Sequence, residues 1–149
     1  YKPAKLQLRS SMENFLKSLI MIDTPAIIQE KSVYAIFDAA KDDSHFGTLI
    51  GQTCVDSLHN DYATLCRTVH GDPKVMQPTS ALSMLPQYDK VSQQEVSSIY
   101  VRTIESCLGI LYLNFPAVVD QMHPDNKKDF LDCLAKATKG DVVNTLYDD

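Results

Sequence analysis

Apolar residues recur every three or four positions along nearly the whole chain, and no stretch alternates apolar with polar residues strongly enough to compete. That period puts the apolar side chains on one face of a helix, so the chain must bury helical stripes against one another. The spacing predicts an all-α fold. We expect a compact bundle of five to six helices, with a long proline-containing loop between the third and fourth main helices. With 149 residues, the chain is long enough to close one hydrophobic core without help from a metal or a disulfide, and residues 1–149 are read as a single helical domain.

Start and stop signals divide the pattern. "SSMENFLKSLIMI" sets Met12, Phe15, Leu16, Leu19 and Ile20 on one face, with Ser10 and Glu13 spaced as a capping box. Thr24 and Pro25 stand where an N-cap and first helical residue belong, ahead of Ile28, Val33, Ile36, Phe37 and Ala40, and that helix should end near Lys41. A third helix is expected from about Ser44 to Gly71, with Phe46, Ile50, Cys54, Leu58, Tyr62, Leu65 and Val69 facing in. After the three prolines of "GDPKVMQPTSALSMLPQYDKV", Ser92 and Glu95 form a second capping box. The helix they open carries Val96, Ile99, Tyr100, Ile104, Cys107, Leu108, Leu111 and Tyr112 over most of its circumference, which predicts the central, most buried helix. Pro116 should kink or end it. A last helix is expected from Asp125, as its cap, to Gly140, with Phe130, Leu131, Leu134 and Ala137 inward.

Charge and composition narrow the partners. Hydrophobic residues make up 44% and charged residues 22%, which is a globular rather than a disordered balance. The net charge of −5 is scattered and gives no basic footprint for a phosphate backbone, so nucleic acid is not expected. Uninterrupted apolar runs such as "CLGILYL" are shorter than the roughly 20 residues of a membrane span, and none is expected. The chain starts at Tyr1 with no signal peptide, which fits either a mature secreted form or a domain of something longer. Extracellular and intracellular settings stay equally open.

The four cysteines admit two readings: buried thiols, or two interhelical bridges. Cys54 and Cys66 cannot pair with each other on one helix, because twelve residues span about 18 Å. His59, Cys66 and His70 share one stripe, and Cys66 and His70 have a chelating spacing, but no paired Cys/His motif accompanies them. Asp42, Asp43 and His45 fit a helix cap, as do Asp120, His123, Asp125 and Asp129. No nucleophile elbow, phosphate-cradling loop or H-E-x-x-H occurs. Catalysis, metal and cofactor are therefore not expected.

What remains is a non-catalytic helical module that recognises a protein partner through an interhelical groove or the 71–91 loop. Its binding residues are expected at Met76, Leu82, Met84, Leu85 and Tyr88. The alternative is a secreted carrier of a small apolar ligand with two interhelical disulfides, in which the same methionines and leucines close over a cavity.

Overall fold

The computed structural model describes residues 2–69 and 89–134. Every regular element among them is helical: α1 (Lys2–Ile20), a 3₁₀ turn (Pro25–Gln29), α2 (Val33–Asp42), a second 3₁₀ turn (Ser44–Phe46), α3 (Leu49–Val69), α4 (Lys90–Asn114), α5 (Pro116–Asp120) and α6 (Pro124–Asp132). The all-helical expectation holds. The expected binding residues Met76, Leu82, Met84, Leu85 and Tyr88 lie outside the described residues, as do His70, Ala137 and Gly140.

Helix α1 starts two turns earlier than its expected capping box. Pro3 costs nothing in a first helical turn, and Leu8 extends the buried row of Met12, Leu16, Leu19 and Ile20 backwards. Ser10 and Glu13 therefore sit in mid-helix, and Glu13 accepts a hydrogen bond from the Tyr62 hydroxyl at 2.6 Å. The expected second helix is broken in two. Thr24 makes no side-chain cap, Pro25 opens only a 3₁₀ turn, and Ser32 caps α2 by accepting from the Ala35 N–H. Lys17 of α1 holds the break in place, donating to the Glu30 carbonyl at 2.5 Å. Ile28 consequently faces solvent, while Ile36, Phe37 and Ala40 are buried as expected.

Asp43 caps the 3₁₀ turn ahead of α3, donating nothing and accepting from the His45 N–H at 2.9 Å. Phe46 then drops into the core, and α3 follows with Cys54, Val55, Leu58, Tyr62 and Leu65 buried along its length. Packed against α1, α2, α4 and the 3₁₀ turn, α3 rather than α4 is the central helix. The expectation for α4 fails because only one side of it meets α3. Ile99 and Ile110 are fully buried there, whereas Tyr100 is 55% exposed and Leu111 half-buried. A row of small and polar residues, Thr103, Ser106 and Gly109, lets α4 approach α3 closely.

Asp89 caps α4 in place of the expected Ser92, whose hydroxyl donates to the Asp89 carboxylate at 2.5 Å. Pro116 ends α4 as expected. His123, not Asp125, caps α6, its ring nitrogen accepting from the Asp125 N–H. Tyr112, Val119 and Leu134 form a second, smaller core with Leu108, Met122, Phe130 and Leu131.

Candidate functional site

Side chains on α4 recur on the same face every three to four residues, so Val96, Tyr100, Ile104, Leu108 and Leu111 form one ridge. The second core covers Leu108 at its C-terminal end. Its N-terminal half is open: Tyr100 and Val101 are about half exposed and Ile104 is at the surface. Beside it, α1 contributes Ala4, Gln7, Leu8 and Ser11, and the small side chains of Ala4 and Ser11 leave a recess. The result is a groove of about 430 Å³ lined by these residues with Val96, Ser97, Tyr100 and Val101. It runs along roughly two helical turns, about 10 Å at about 1.5 Å per residue. No lining residue carries a charge. Buried Lys5 meets Glu95 at 2.5 Å and ties α1 to α4.

Helix α4 is also the one helix among the described residues with a stretch long and apolar enough to cross a membrane, and one third of that stretch is buried in the bundle. Uninterrupted runs understate this length, because polar residues spaced along the helix break them up. Arg102 lies in mid-helix and holds Asp61 of α3 with two hydrogen bonds, at 3.0 and 2.5 Å. That contact raises the Arg102 pKa.

None of the four cysteines is bonded to another. Burial pushes the Cys107 thiol up to about 12, with Cys54 nearby adding to the effect, and burial also raises Cys54 against a lowering hydrogen bond from Ser106. Both are therefore protonated, unreactive core residues. Cys133 is exposed and Cys66 half-exposed.

Asp23, Asp43 and His45 bring two carboxylates and an imidazole within 4.8 Å of one another. Their mutual bonds account for the arrangement. The His45 ring nitrogen lies 2.8 Å from Asp43 and 3.8 Å from Asp23, so the cluster fastens the turn after α1 to the start of α3. Asp23 could not be paired with the other two from sequence, because twenty residues separate them. His59 and Cys66 lie on one face of α3 and line a second cleft with Arg9 of α1 and Tyr34 of α2.

No family model matches the chain, and neither a curated protein nor a solved structure gives a significant match.

Proposed function

We propose that this chain is a non-catalytic interaction module that takes an amphipathic helix of a partner protein into the groove between α1 and α4. The observation that carries this reading is the divided ridge of α4. One half is covered by helices α5 and α6 of the chain itself, and the other half presents Tyr100, Val101 and Ile104 with nothing described over them. A helix laid beside the open half would continue the packing that α5 and α6 begin, reading the groove through apolar anchors at i, i+3 or i+4, and i+7. The uncharged lining selects an apolar contact face, and the Tyr100 ring supplies the large amphipathic anchor typical of interface hot spots.

The test replaces Tyr100 with a photo-crosslinking phenylalanine, identifies the adduct from cells, and then measures that protein's affinity for the wild type, Tyr100→Ala and Val101→Asp. A helical segment in the adduct and a loss of affinity of about tenfold or more in both variants, at unchanged melting temperature, is the expected result. Equal affinity in all three would remove the groove from consideration. Recognition through residues 71–91 remains a separate proposal, tested by the same measurement on Met84→Ala.

A further inference from the structure

Helix α1 has a second flank, opposite the groove, where Arg9 faces α3. His59, Tyr62, Ala63 and Cys66 follow one another on a single face of α3, and the start of α2 adds Ser32, Val33 and Tyr34. Together with Arg9 they enclose a cleft of about 400 Å³, within the size range of small-molecule sites.

Its polar groups are arranged around one cation. The Arg9 guanidinium lies 4.9 Å from the centre of the Tyr62 ring and donates from Nη2 to the Tyr62 hydroxyl at 2.9 Å. Tyr62 in turn donates to Glu13, and burial together with that bond pushes its phenol up to about 12, so it does not neutralise the arginine. No carboxylate among the described residues forms an ion pair with Arg9 within 4.0 Å, and Glu13 acts on it only across the Tyr62 hydroxyl. A guanidinium has five N–H donors in a planar fork, and here Nε is shut off from solvent with no acceptor among the described residues.

The remaining walls favour a flat anion. His59 stacks on the fully buried Phe37, with centroids 4.6 Å apart and planes at 26°, which fixes the imidazole. Tyr34 stands edge-on to it at 6.4 Å. Ser32 accepts from the Ala35 N–H and keeps its own O–H to donate, while the backbone N–H groups of Lys31 and Ser32 ahead of α2 are already taken by the Glu30 carboxylate. Ala63 adds a small apolar side chain to the lining.

We propose that this cleft binds a small aromatic carboxylate, its carboxylate taken by Arg9 and the Ser32 hydroxyl and its ring held against Tyr34 and His59. Arginine suits this role because its fork matches the two oxygens of a carboxylate. The test titrates the isotopically labelled full chain with indole-3-acetate and, separately, with the isosteric neutral indole-3-acetamide, following the amide resonances of Ser32, Tyr34, His59 and Tyr62. Saturable shifts with the acid, about tenfold weaker with the amide, are expected, with a similar loss in Arg9→Gln and in Tyr34→Ala. Tyr34 is exposed, so its variant keeps the fold even if loss of Arg9 disturbs Tyr62. Absence of saturable shifts up to millimolar acid overturns the proposal. So does equal binding of the amide, unchanged affinity in Tyr34→Ala, or displacement by inorganic phosphate at equal concentration.

Discussion

Two neighbouring residues on α4, Ile110 and Leu111, show how much one helical step decides. The spacing placed Leu111 inward and passed over Ile110, but Ile110 is fully buried and Leu111 is half-buried. Ile110→Ala should cost about 2–5 kcal/mol and Leu111→Ala clearly less, as read from urea unfolding midpoints. The buried thiol and phenol give a pH dependence whose sign follows from burial. In the unfolded chain Cys107 ionises near 9.0 and Tyr62 near 10.0, whereas both are held up to about 12 in the fold. Between those values the unfolded state has released protons that the folded state keeps. Stability from these groups is therefore full below about pH 9 and is lost as pH rises toward 12. Cys107→Ala should flatten that decline, which unfolding measured on both sides of the unfolded thiol's pKa will show. An unaltered slope would assign the decline to other groups.

Elements meet where a local rule is overruled by a neighbour. Glycine weakens a helix interior, so local propensity says that Gly51→Ala should stabilise α3 by about 1 kcal/mol. The fold says the opposite, because a methyl group at Gly51 would lie 2.7 Å from the Phe46 carbonyl oxygen. The neighbour is backbone and cannot swing aside, so the substitution should destabilise by about 1–3 kcal/mol, with α3 forced away from the 3₁₀ turn. A higher melting temperature in Gly51→Ala would show that the turn yields instead. The tie between α3 and α4 is the Arg102 pair with buried Asp61. Arg102 is itself about half exposed, so Arg102→Leu should cost only about 1–2 kcal/mol, below the roughly 3–5 of a fully buried pair. A double-mutant cycle with Asp61→Asn isolates the coupling.

Across the whole molecule, the main core joins α1, α2, α3 and the near side of α4, while α5 and α6 rest on a satellite core of three buried residues. Native-state hydrogen exchange should accordingly find the slowest amides around Val55 to Leu65 in α3, and much faster exchange in α6, which buries none of its residues. Uniform protection would mean that the two cores unfold as one unit. The helical class, the end of α4 at Pro116 and the inward faces of α2 and α3 were legible in the sequence, because the 3.6-residue period and the geometry of proline act within a few residues, whereas the break between Gln29 and Val33 was not. Start points were less legible at α1 and α4, where more than one capping signal stood within two turns and packing chose between them. The candidate sites were hardly legible at all. The expected binding residues fall in 71–91, whereas the groove joins Ala4 to Val101, and the cleft joins Arg9 to Tyr34 and His59. An apolar ridge such as that of α4 specifies that something should cover it but not what does, since hydrophobic attraction has no direction. The sequence by itself determined the helices and their apolar faces. Only the tertiary structure decided that α3 takes the centre, that half of the α4 ridge has none of the described residues over it and that Arg9 meets aromatic rings, because those outcomes depend on contacts between residues far apart in the chain.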